Sequence, residues 1–264
     1  MTAPRSAPAP RGTLGGGARK YLEVARTAFS SRLAYLGGSL SRPLFFAMIL
    51  FVFVQLWQKV FTPDRPVVAG FTMVDTLWYL MLTEAILLSA PRLDGRVDEE
   101  VKSGGLAIVL GRPCHYLLYH LAFCLGEAVP LLAMSLVAGA VVVSLLIGPP
   151  PIVWSSLPIV ASSVGLAFVL HFYISMCVAL LAFWVEDATP FFWIYSKMLF
   201  ILGGLMIPLD FFPAWLQTLA GALPFRHILC GPARLTVRYS AGDALALVGW
   251  QCGWIALIGL AAHG

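Results

Sequence analysis

This sequence predicts an all-α, polytopic membrane protein, on three observations. Hydrophobic residues make up 59% of the 264-residue chain and charged residues only 11%, against the roughly half apolar and quarter charged usage of soluble domains. Six apolar windows approach or exceed the ~20 residues with which a helix crosses ~30 Å of hydrocarbon. Lys and Arg are spread unevenly over the connecting segments, in the pattern that orients a protein across a bilayer.

Residues 1–18 are rich in Pro, Ala, Gly and Ser and hold too few large apolar side chains to bury, so a disordered leader is expected. The remainder, 19–264, reads as one membrane domain. Leu22, Ala25, Phe29 and Leu33 recur at helical spacing, while Lys20, Glu23, Thr27 and Ser30 fall on other faces. That pattern predicts an interfacial helix on the cytoplasmic surface, whose basic residues either anchor topology or draw on anionic lipid headgroups.

The spans are expected at Leu44–Phe61, Phe71–Ala90, Leu117–Ile147, Leu157–Trp184, Phe191–Leu209 and Ala244–Ala261. The third is long enough to tilt or to kink at Pro130. The Pro-rich turn Gly148–Pro151 separates it from the fourth. Trp57, Trp78, Trp154, Trp184 and Trp215 fall near span ends, where aromatic rings anchor at the interface.

Seven basic residues precede the first span and four (Arg92, Arg96, Lys102, Arg112) follow the second, whereas Lys59, Arg65, Arg226, Arg234 and Arg238 collect on the other side. Eleven against five places the N-terminus and the Arg92 segment in the cytoplasm. Six spans return the C-terminus there too. No apolar run begins before Leu44, so no secretory leader is read.

The five cysteines are dispersed and form neither a disulfide framework nor a CxxC pair. His115 and His120 are five apart, off the i, i+4 spacing of a two-His metal pair, and His171 is alone in its span. Neither a nucleophile with a base nor paired carboxylates converge at one depth, which argues against an intramembrane enzyme. No GxxxxGK[ST] phosphate loop is present, so any ATP and Mg would be bound on a separate polypeptide.

Transport is the stronger class. Ionisable side chains in lipid are costly and face a bundle interior or a water-filled path, which singles out Glu84, Glu127, His171 and Lys197 as candidates for the translocation pathway. The alternative is that Glu84, Glu127 and Lys197 pair with one another or with backbone carbonyls and fix helix packing. Both readings stay open.

The block between spans two and three, residues 91–115, gathers charges of both signs. Asp98-Glu99-Glu100-Val101-Lys102-Ser103-Gly104-Gly105-Leu106, followed by Leu110-Gly111-Arg112-Pro113, resembles the cytoplasmic coupling segment of six-span type 2 ABC exporter permeases. Physically, Val97–Lys102 can form a short polar helix that Gly104 and Gly105 terminate. Arg112 offers a planar fork for a carboxylate or phosphate, and Pro113 opens the next helix.

A second stretch resembles the external hairpin of the same permeases. It runs from Gly203-Gly204 through Pro208, Asp210, Pro213 and Trp215 to Leu223-Pro224-Phe225. About a dozen residues from Pro213 cannot cross a bilayer, so an interfacial or re-entrant hairpin over 208–225 is expected. Phe183-Trp184-Val185-Glu186-Asp187 also fits the family, as an aromatic-to-acidic boundary at the cytoplasmic end of the fourth span.

The resemblance implies a permease subunit without its own ATPase site, in the plasma membrane. Its partners would be cytoplasmic ABC ATPase subunits, a second permease chain, identical or related, and membrane lipid, with no nucleic acid. It further implies that the coupling segment docks the ATPase and that the hairpin caps the external gate. Abundant Phe, Met and Leu with few fixed charges fits an amphipathic or hydrophobic substrate. The alternatives are a transporter or channel driven by ion gradients and, behind it, a membrane enzyme or assembly factor.

Overall fold

The computed structural model describes residues 15–36, 41–90, 93, 96–103, 111, 114–181, 185 and 188–263. The described residues are all-α apart from a two-stranded hairpin. In order run α1 (Gly15–Leu36), α2 (Ser41–Val60), β1 (Val67–Val68), β2 (Phe71–Thr72), α3 (Met73–Ser89), α4 (Arg96–Lys102), α5 (Tyr116–Leu146), α6 (Leu157–Leu180), α7 (Thr189–Leu202), α8 (Ala214–Gly221), α9 (Phe225–Ile228), α10 (Cys230–Val237) and α11 (Ala241–His263).

Four of these helices, α2, α5, α6 with its preceding turn, and α11, are long and apolar enough to cross a membrane by length and composition. The other two expected spans are shorter. α3 has 17 residues and α7 has 14, so α7 is only ~21 Å long at 1.5 Å per residue.

Local chemistry explains both boundaries. Phe71 and Thr72, expected inside the second span, instead pair with Val68 and Val67 in the hairpin. Thr72 then caps α3 reciprocally. Asp75 N–H donates to Thr72 Oγ1 at 3.2 Å and Thr72 N–H donates to Asp75 Oδ2 at 3.0 Å, a capping box worth about 1 kcal/mol.

The fifth span, expected to reach Leu209, ends at Leu202. Gly203 N–H closes the last turn on the Leu199 carbonyl at 2.9 Å, and Gly204 takes φ +71°, a left-handed angle that ends helices. At the N-terminus α1 begins at Gly15, so the last four positions of the expected leader are helical.

α3 is the central helix: twelve of its seventeen residues are buried, against α2, α5 and α10. α1 lies along α5, where glycine permits close approach. A Cβ on Gly126 would stand 3.0 Å from Ala25 Cα and its carbonyl carbon, and closer still to the carbonyl oxygen. α11 packs along α6. The outer face of α2, with Leu44, Phe45, Met48 and Phe51, is exposed, as expected of a helix that meets lipid.

Two ends of the bundle follow from these directions. α3 runs from the β-hairpin to the α4 end, and α5 starts at the α4 end. At the far end Phe211 packs 5.5 Å from Trp57 and 5.8 Å from Phe71, centroid to centroid. α9 and α10 dip back into the bundle. Gln251, eleventh of the 23 residues of α11 and fully buried, donates from Nε2 to the His227 carbonyl at 2.9 Å and the Ser163 carbonyl at 3.0 Å. α9 therefore reaches about halfway along α11, tied by polar contacts of the kind that hold helices together where water is absent.

Candidate coupling and pathway sites

α4 has two unlike faces. On the inner face Val97 is fully buried, with Leu93 ahead of it, in a cluster with Cys124 of α5 and Phe172, Met176 and Ala179 of α6. Arg96 and Glu100, one turn apart, reach onto α5. Arg96 Nη2 donates to Glu127 Oε2 at 3.2 Å, and its guanidinium lies 4.4 Å over the Phe123 ring. Tyr116 O–H donates to Glu100 Oε2 at 2.9 Å. His120 Nε2 stands 3.3 Å from the same oxygen, in ion-pair range but without hydrogen-bond alignment.

α4 is thus gripped at 116 and 127 by charge-assisted hydrogen bonds, which are stronger than neutral ones, and wedged by an apolar foot between α5 and α6. A displacement of α4 must move the first turns of α5 and the last turns of α6. Glu99 and Ser103 are exposed on the other face, where Ser103 N–H closes the helical turn on the Glu99 carbonyl at 2.8 Å.

The expected coupling residues divide accordingly. Glu100 faces inward and holds the element in place; Glu99 and Ser103 face outward. Asp98 and Lys102 lie in the α4 backbone, while their side chains, together with Gly104, Gly105, Leu106, Arg112 and Pro113, fall outside the described residues. So do Phe183, Trp184, Glu186 and Asp187 of the expected boundary after α6.

At the far end, the residues read as a gate form one anchored turn. Tyr79 O–H, from the buried centre of α3, donates to the Gly204 carbonyl at 2.7 Å, and Thr83 O–H donates to the Leu205 carbonyl at 3.2 Å. Pro208 is buried. Asp210 Oδ1 lies 3.4 Å from Arg234 Nε in α10, and Gln217 Nε2 ties α8 to the Phe212 carbonyl at 2.8 Å. Pro213 is exposed, and Trp215, 69% exposed, projects from the surface. Gly203 packs closely on Leu229, whose Cδ1 would stand 3.1 Å from an added Cβ.

The four candidate pathway residues do not converge. His171 and Lys197 line one cavity of about 310 Å³ with Ser175, Tyr195 and the Leu87–Leu88 end of α3. Tyr195 O–H lies 2.6 Å from His171 Nδ1, and exposed Lys197 sits 5.4 Å from the centroid of Trp193 on its own helix. Glu127 belongs to the α4 contact and lines another cavity. Glu84 is buried in α3, 7% exposed, and lines neither of these two cavities.

Sequence reasoning missed the residues that complete these sites. Arg96, Tyr116 and His120 went unselected because their value lies in pairings across 16 to 31 positions, which one sequence does not display. Tyr195 carried a weak signal, two positions from Lys197 in an apolar helix.

Residues 44–263, more than four-fifths of the chain, match the family model described as ABC-2 family transporter protein. No curated protein matches the sequence. The arrangement of apolar helices joined by a polar two-faced element agrees with that match, and the chain belongs to the ABC-2 transporter family, as a multi-pass membrane component of an ABC transporter that works with an ABC ATPase.

Proposed function

We propose that the chain is the transmembrane subunit of an ATP-driven exporter of an amphipathic or hydrophobic substrate. In this reading it acts in the plasma membrane as six spans, with α3 and α7 completing the set and both termini in the cytoplasm. The hairpin from Gly203 to Phe225 enters the outer leaflet and caps the external gate. Two permease chains, identical or related, pair above two ATPase subunits that bind ATP and Mg. His171, Tyr195 and Lys197 line part of the path.

The observation that carries this reading is the division of α4 into an inner face bound to α5 and α6 and an outer face that presents Glu99 and Ser103. The short polar helix receives force on one side and delivers it on the other. Closure of the ATPases would push α4 towards the bundle, and the contacts of Arg96 and Glu100 would carry the motion into α5, shifting a two-state bundle from inward-open to outward-open.

Purification of the tagged full chain from its own membranes tests the assignment. The wild type carries an ABC ATPase with it. Glu99→Arg loses that subunit because a reversed charge at the contact opposes docking, whereas Glu100→Gln keeps it and loses transport. ATPase binding and transport both intact in Glu99→Arg would contradict the docking face.

A further inference from the structure

A cavity of about 350 Å³ lies among α1, α2, α3 and α5 at the α4 end, within the ~300–1,000 Å³ range of small-ligand sites. Arg32, Arg42, Arg96 and Glu127 supply its polar wall, and Phe45 and Leu131 are among its apolar residues. Among the described residues that line it are three arginines and one carboxylate, and that carboxylate is held by Arg96 at 3.2 Å. Arg32 Nε is shielded from solvent and has no hydrogen-bond partner among the described residues. Guanidinium does not lose its proton, so its charge persists in the cavity and favours an anionic acceptor.

The apolar wall narrows the class of anion. Phe45 lines the cavity and is itself 52% exposed, beside Leu44 at 76% and Met48 at 55% on the same helix. The cavity is thus continuous with the surface of α2 that meets hydrocarbon. A ligand with a phosphate at one end and acyl chains at the other satisfies both parts. Basic pockets between helices at a membrane surface recognise anionic headgroups in this way.

We propose that this cavity seats the headgroup of an anionic phospholipid, with its phosphate at Arg32 and its chains along the Phe45 face of α2. The headgroup would lie against Arg96 and Glu127, the pair that ties α4 to α5, so lipid occupancy and the coupling contact share residues. The inference requires the membrane but not the exporter reading, and its test measures lipid retention rather than transport.

The full chain is purified in detergent, stripped of lipid and offered dioleoyl phosphatidylglycerol, dioleoyl phosphatidylcholine or millimolar inorganic phosphate separately, with bound species weighed by native mass spectrometry. Phosphatidylglycerol is retained over phosphatidylcholine on the order of tenfold. Arg32→Gln reduces that preference several-fold, Arg32→Lys recovers part of it, and Arg19→Gln, on an exposed part of α1 away from the cavity, leaves it unchanged. Equal retention of the two lipids by the wild type overturns the proposal without reference to any variant. A preference unchanged in Arg32→Gln overturns it as well. Inorganic phosphate bound as well as the lipid assigns the cavity to a free anion and overturns the lipid.

Discussion

Gly126→Ala sets two effects of known sign against each other. In a helix interior, replacing Gly by Ala stabilises by about 1 kcal/mol through the unfolded chain alone. At Gly126 the new methyl would stand 3.0 Å from two backbone atoms of Ala25 and closer to a third. Backbone cannot turn aside as a side chain can, so α1 must shift as a body or α5 must bend, an overpacking cost of about 1–3 kcal/mol.

Gly165, in α6, supplies the control, because nothing lies within 4 Å of the Cβ it would gain. Gly165→Ala is expected to stabilise by about 1 kcal/mol, and Gly126→Ala to fall short of it by about 1–3 kcal/mol. For a chain of this size that is a gap of about 3–10 °C in melting temperature. Thermal unfolding of the purified proteins, followed by tryptophan fluorescence in one detergent, measures it. Equal stabilisation by the two substitutions would refute the clamping of α1 on α5.

Gly204→Ala places a side chain at φ +71° and 2.7 Å from the Tyr79 hydroxyl. The expected loss is about 2–4 kcal/mol from backbone strain and the displaced hydrogen bond, read as a lower melting temperature with ATPase co-purification unchanged. Tyr195→Phe removes the 2.6 Å contact with His171 and should cost about 1 kcal/mol. Lys197→Gln, at an exposed position, should move stability by less than about 0.5 kcal/mol while changing the apparent KM of transport. Transport kinetics identical to wild type in both variants would remove this cavity from the path.

Much of the architecture was legible because bilayer physics writes it into composition. Long apolar windows became α2, α5, α6 and α11, and the polar run after the second window became α4. Helix ends were less legible, being decided by single contacts. The second window lost Phe71 and Thr72 to a hairpin and a capping box, and the fifth stopped at Gly203 rather than Leu209.

The charged residues show the limit most clearly. Cost in lipid marked Glu84, Glu127, His171 and Lys197 equally, yet three dimensions give them different neighbours. Glu127 answers Arg96, His171 and Lys197 share a cavity through Tyr195, and Glu84 lies buried in the central helix. Similarly, Glu99 and Glu100 are adjacent in sequence but turn about 100° apart on a helix. Only the packed fold distinguishes the outward carboxylate from the one that faces Tyr116.

The central claim is that α4 passes motion to α5 through Arg96 and Glu127. Transport per ATP hydrolysed, in vesicles containing the chain and its co-purifying ATPase, tests it with Arg96→Glu, Glu127→Arg and the double exchange. Each single reversal should leave the ATPase bound yet lower transport at least several-fold, because like charges then meet where an ion pair stood, and the exchange should restore much of it. Single reversals that transport as well as wild type, or an exchange no better than either single, would contradict the account.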